Sequence, residues 1–283
     1  MNPLNTPTYK LFYHLNTLNG LLFTLDGQLT HFEKLYKESI SEASFDISVI
    51  FSAASLAIRD LTEWTENGFA KYYPSGSFST KGEDYFKLVE VLLSRESAWT
   101  VSQAYEAFET FLKDISATFI FENQGLVNGT KLEKFELDKR SKDLTKTEFT
   151  FWRKYIEYNT KNNKDILKLL RKICPDINKG EKQNNRVIDL SEWFAVVEEV
   201  RNSATHSNFI INAHKMKNWS LTKQKLLNKY FSGIFVNKEY KLNITIKEAT
   251  FCLELFSEYA FQLYKYLSIS RGYVWDILQK ENG

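Results

Sequence analysis

Proline and glycine are scarce, at 4 and 11 of 283 residues, which excludes folds built from many tight turns. Cysteine is scarcer still. Cys174 and Cys252 stand alone and far apart, with no His or Cys at metal-ligand spacing, so the chain offers neither a disulfide framework nor a zinc site. No stretch approaches the roughly 18 apolar residues of a membrane span, and the N-terminus has neither the basic start nor the unbroken apolar core of a signal peptide. A soluble, cytoplasmic protein with no membrane partner is expected. A glycine-rich phosphate loop, a nucleophile elbow and the carboxylate-plus-lysine pattern of metal nucleases are missing as well, so no cofactor and no metal is expected.

What the chain does have is aromatic bulk: 22 Phe, 15 Tyr and 6 Trp within a 43% hydrophobic composition, which excludes disorder and provides a large core. The net charge of +2 conceals a division. From Lys131 to Lys229 there are 22 Lys and Arg against 13 Asp and Glu, whereas the remainder is acidic. A basic half is compatible with a polyanionic partner, although charge runs are also ordinary solvated helix faces.

Apolar periodicity predicts long helices. Residues 1–28 are read as a hairpin turning at Asn19-Gly20, a strong local turn signal, with a short helix as the alternative. His14 lies in that segment without an acidic or histidine neighbour in sequence, and a structural role is expected for it. From Leu29 to Tyr73, apolar residues including Phe32, Leu35, Tyr36, Ile40, Ile47 and Ile58 recur every three or four positions, predicting one or two helices ended by Tyr72 to Ser77. A second long helix is predicted over Gly82–Phe121, and a last one over Lys247–Ile269. Between them lie a charged segment after Gly129, two short helices between Phe149 and Ile173, a polar loop over Asp176–Arg186, and a hairpin with turn candidates at Ser232-Gly233 and Asn237-Lys238.

The stretch Asp189–His206, DLSEWFAVVEEVRNSATH, carries the chemistry. Leu190, Trp193, Phe194, Val197 and Val200 form one apolar stripe, and where the stripe would continue the chain places Arg201 and Asn202, then His206. Arginine presents a permanently charged fork to two phosphate oxygens, and histidine carries protons near neutral pH. On a regular helix five residues turn through about 500°, so Arg201 and His206 stand about 140° apart. They share a face only if the helix loosens or ends near Ser203. His214 is a further candidate proton carrier, and Trp64, Trp152 and Trp219 could stack bases, core packing being the plainer fate of most of them. The plainer roles for Arg201 and His206 are capping and interface contacts at a helix end.

The run Arg201-Asn202-Ser203-Ala204-Thr205-His206 after an apolar helix resembles the signature of the HEPN superfamily: an Arg, a polar residue, and a His after a short interval. The segment AYEAFETFLKDI resembles the long helix that packs against the motif helix in that family. The resemblance covers about residues 82–270. It implies a HEPN-like helical bundle at 81–283, with residues 1–80 as an N-terminal helical extension, the hairpin as an insertion, and a homodimer whose two motif helices share a cleft. It also implies a metal-independent endoribonuclease of toxin or antiviral defence type acting on RNA, whether tRNA or mRNA, and controlled by an antitoxin or another defence protein. Arg201, His206 and Asn202 would be the catalytic residues, with Glu106 or Glu109 orienting Arg201. The alternative is a non-catalytic HEPN-like module that binds nucleic acid, nucleotide or protein.

Overall fold

A computed structural model describes residues 2–42, 50–53, 57–64, 70–74, 78–237 and 239–276. The fold is mainly α, with ten α-helices among the described residues. The chain divides into two compact units, one formed by residues 1–23 and 95–283 and the other by residues 24–94. The expected division at residue 80 therefore falls inside the second unit. α1 (Asn5–Glu42) and α2 (Gly82–Glu122) are long enough to contribute to both.

Two expectations for the N-terminal part are corrected. Residues 1–28 form no hairpin, because α1 runs unbroken through Asn19 and Gly20. Leu4, Leu11, Leu15, Leu18 and Leu22 are all buried and recur at helical spacing, so burial of that leucine stripe overrides the turn signal. Gly20 is exposed, and Asn19 accepts a hydrogen bond from Thr250 Oγ1 at 3.2 Å. A mid-helix glycine costs about 1 kcal/mol, less than a single buried leucine returns. Nor is the segment up to Tyr73 helical throughout. It holds β1 (Ile50–Ala53), β2 (Ala57–Trp64) and β3 (Ala70–Pro74), followed by β4 (Phe78–Lys81). β1 pairs antiparallel with β4, and β2 with β3. The Asn67-Gly68 dipeptide between β2 and β3 is a hairpin signal in sequence, and the β-branched and aromatic content around it, Thr62, Trp64, Tyr72 and Tyr73, favours strand. The parts of the expected helix at 43–49, 54–56 and 65–69, and the turn residues 75–77, lie outside the described residues.

The larger unit is organised around Phe108 of α2. Its ring lies 5.3 Å from Phe194 of α7 (Leu190–His206) and 5.1 and 5.2 Å from Phe256 and Tyr259 of α10 (Ile246–Ile269). Trp193 joins from α7 at 5.0 Å from Phe256. Five rings at edge or offset distances bury a large apolar area and add about 0.5–1.5 kcal/mol per pair beyond it. Both long predicted helices, α2 and α10, end within one residue of where the apolar pattern placed them. Thr245 starts α10 with a capping box, its hydroxyl accepting from Glu248 N while the Glu248 carboxylate accepts from Thr245 N.

α3 (Gly129–Glu136), α4 (Phe149–Asn159) and α5 (Asn163–Ile173) follow, the first two packed through Phe135 and Phe151. The expected polar loop at Asp176–Arg186 is instead α6 (Asp176–Lys182), with Ile177, Gly180 and Glu181 buried. Polarity misleads there because Glu181, 1% exposed, is paid in kind by Arg171, whose Nε and Nη2 donate to its two oxygens at 2.7 and 2.9 Å. Tyr259 donates its hydroxyl to the same carboxylate. A Cβ at Gly180 would run into the Tyr266 ring, so only glycine lets α6 approach α10.

After α7 come β5 (Ile210–Asn212), α8 (Ala213–Lys217) and α9 (Leu221–Tyr230), then the hairpin β6 (Gly233–Val236) and β7 (Glu239–Leu242). These three strands form an antiparallel sheet in the order β5, β7, β6. Lys238, in the predicted turn, lies outside the described residues, while Asn237 beside it adopts φ +49°, the left-handed conformation that asparagine tolerates.

Candidate functional site at the end of the motif helix

Asp189 caps α7 by accepting from the backbone N–H groups of Ser191 and Glu192, which sets where the helix begins and therefore which residues its last turn presents. The helix stays regular to His206. Ser207 closes it, and the N–H groups of Ser207 and Phe209 both reach the Ser203 carbonyl, at 3.1 and 2.9 Å. Asn208 and Phe209 then take φ of +48° and +66°. The left-handed region is costly for an aromatic residue, by about 1–2 kcal/mol, and it is held by Leu242 N–H donating to the Phe209 carbonyl at 2.8 Å. Because α7 neither loosens nor stops early, Arg201 and His206 keep the separation of about 140° that helix geometry dictates.

Arg201 is the better anchored of the two. Its Nη2 donates to Glu106 Oε1 at 3.0 Å, its Nη1 to Asn202 Oδ1 at 3.1 Å, and its guanidinium carbon sits 5.9 Å from the centre of the Tyr105 ring. Its Nε is buried without a partner. Such an orphan donor costs about 1–3 kcal/mol, so the side chain is held where its hydrogen-bonding capacity is not used up. Arg201 is 26% exposed and Glu106 57%, which makes the pair a partly solvated one, weak enough for an incoming anion to displace the carboxylate.

Glu106, one turn from Glu109 on α2, is thus the carboxylate that meets Arg201. Glu109 turns to Lys113 at 2.7 Å and to Asn163 Nδ2 at 3.3 Å. Partial burial would raise its carboxyl, but the hydrogen bonds and charge of Lys113, Asn163 and Arg201 together hold it below the ordinary carboxylate value. Asn163 also donates to the Tyr105 hydroxyl at 3.0 Å. Burial pushes that phenol up to about 12, so Tyr105 stays neutral beneath the guanidinium.

His206 is exposed at the last position of α7, with its side chain free of hydrogen bonds to other described residues. Asn202 and Ser203 border a cavity of about 320 Å³ shared with Glu199, Ile211 and Lys215. His214 is exposed at the start of α8, where Asn212 accepts from its backbone N–H. No hydrogen bond joins His214 to Arg201 or His206. Among the tryptophans that could stack bases, Trp152 is fully buried, as the plainer expectation of core packing has it, with Nε1 donating to the Lys146 carbonyl at 2.8 Å. Trp219 is half-buried with Lys223 Nζ 4.3 Å from its ring centre; Trp64 ends β2, and its side chain lies outside the described residues.

No family model matches the chain, and no curated protein and no solved structure matches it.

The functional reading therefore rests on the geometry of these residues. One large apolar ring near them is not in the core: Trp99 of α2 is 49% exposed. It borders a groove with Lys10 and His14 of α1, and Glu106 borders the same groove. Only the packing of α1 on α2 could reveal this. Both cysteines are buried, and burial raises both thiols, so neither is a ready nucleophile. Among the described residues no helix is long and apolar enough to cross a membrane.

Proposed function

We propose that the chain is a metal-independent endoribonuclease of HEPN type, a homodimeric cytoplasmic toxin or defence effector. The observation that carries this reading is the state of Arg201: fixed at the open end of α7 by a displaceable carboxylate, over a neutral Tyr105 ring, with a buried N–H to spare. Its surroundings favour an anion. From Arg201 to Lys229 the chain carries six Lys and Arg and no Asp or Glu.

In the proposed reaction a histidine takes the proton of the ribose 2′-hydroxyl, the 2′-oxygen attacks phosphorus, and the 5′-oxygen leaves with a proton from a second acid. A 2′,3′-cyclic phosphate and a 5′-hydroxyl result. The Arg201 fork stabilises the charge on the non-bridging oxygens. His206 on one helix serves for one proton transfer, and two-fold pairing supplies the second His206 for the other. The separation of about 140° between Arg201 and His206 on a single α7 favours that arrangement over a site within one protomer.

The test is cleavage of single-stranded RNA and tRNA in EDTA. Arg201→Ala and His206→Ala should each lose about 10²- to 10⁴-fold in rate, and the wild-type products should carry cyclic phosphate ends. Equal cutting by all three proteins defeats the proposal. A second reading, a binding module without catalysis, draws on the same fact that Arg201 is already engaged by Glu106 and Asn202. It predicts salt-sensitive binding with no cleavage.

A further inference from the structure

Trp99, Gln103, Glu106 and Thr110 succeed one another at intervals of three or four residues, forming one stripe along α2. Lys10 and His14, one turn apart on α1, face the same groove, whose volume is about 550 Å³. That is the size of an ordinary small-molecule site. Its contents are unlike those of a core seam: a half-exposed indole, and two basic side chains that make no hydrogen bond or ion pair with another described residue. Its one carboxylate, Glu106, is the group that meets Arg201 at 3.0 Å. The groove therefore combines a flat π surface and two available donors, and one of its walls leads to the Arg201 guanidinium.

We propose that this groove binds one nucleotide of single-stranded RNA, with the base against the exposed face of Trp99 and the phosphate between Lys10 and His14. The proposal deepens the ribonuclease reading and rests on it for the identity of the ligand. Stacking on an indole tolerates every base, since each has a π face, and Lys10 and His14 add charge without sequence preference. The subsite would accordingly hold the strand near the reacting phosphate and leave sequence choice to other contacts. His14, for which a structural role is the plain expectation from sequence, becomes a binding residue.

The experiment is fluorescence anisotropy of the full-length protein with a fluorescein-labelled oligouridylate whose 2′-hydroxyls are methylated, so that binding is read without cleavage. Trp99→Ala should weaken binding about tenfold, Trp99→Phe should restore most of it, and Trp99→Leu should not. Lys10→Ala should make log K less steep in log salt by about 0.7. Failure of the wild type to bind, or equal affinity of Trp99→Ala and wild type, overturns the groove. If Leu restores binding as well as Phe does, stacking is overturned. Weakened binding in Trp99→Ala beside a wild type that cuts nothing removes the ribonuclease reading alone, whereas normal cutting with unchanged Trp99→Ala affinity removes the groove alone.

Discussion

Two of the larger unit's arginine–glutamate pairs hold equally exposed arginines and differ in the carboxylate, 1% exposed in Glu181 and 57% in Glu106. Arg171 and Glu181 meet by two parallel hydrogen bonds, with Tyr259 adding a third donor, and the carboxylate is sealed from water. Arg201 and Glu106 meet by one, in partial solvent, with the arginine Nε left over. The carboxylate of the first pair is saturated, so Glu181 can accept no other ligand without giving up a donor. The second pair is incomplete on both sides. An arginine kept in a fold for its packing looks like the first; one kept for an exchangeable anion looks like the second.

Breaking the saturated pair should cost the most. Arg171→Ala leaves Glu181 buried beside only the Tyr259 hydroxyl, and because Arg171 is itself partly exposed the loss should fall near the low end for such changes, about 3 kcal/mol. Urea denaturation followed by circular dichroism checks it, and a loss below about 1 kcal/mol would erase the contrast. Acid titration of stability comes next. Glu109 has a folded value below the ordinary 4.5, so its contribution is fully present above that pH and disappears as pH falls through the folded value. Glu109→Gln should flatten stability below about pH 4.5. The buried phenol of Tyr105 works in the opposite sense. With its folded value raised from 10.0 to about 12, it stabilises fully below pH 10 and loses that effect as pH rises between the two, a slope that Tyr105→Phe should reduce. The smallest stability effect belongs to Glu106→Gln, under about 1 kcal/mol by the same denaturation measurement. That substitution should nonetheless tighten RNA binding severalfold by releasing the Arg201 fork, so stability and affinity would move apart at one pair and not at the other.

How much of this could be read from sequence depends on whether a signal was local. The mainly α class and the spans of α2 and α10 were legible, because each helix carries an apolar stripe long enough to outvote any single residue. α1 was not, since Asn19-Gly20 is a stronger short-range signal than a leucine stripe spaced over five turns. α6 escaped because its burial depends on Arg171, in another helix, neutralising Glu181. At the candidate site Arg201, Asn202 and His206 were visible as residues that interrupt an apolar stripe. Glu106 was visible only as one of two carboxylates, since choosing between them takes the rotation of α2 against α7. Trp99, Lys10 and His14 gave no signal as a group, because they meet only when two helices about ninety residues apart in the chain lie side by side.

The N-terminal helix is also tied to the last one. Asn2 Nδ2 donates to the Tyr264 hydroxyl and Ser268 Oγ at 3.0 and 2.8 Å, Tyr264 donates to Asn5 Oδ1 at 2.7 Å, and Thr250 donates to Asn19. Contacts so distant in sequence form late. During synthesis α1, made before α10, must wait for α10 to emerge before these bonds can close. The wall that α1 gives the groove is then tied down only after α10 is made, so a partly made copy would carry the proposed nucleotide subsite without those bonds.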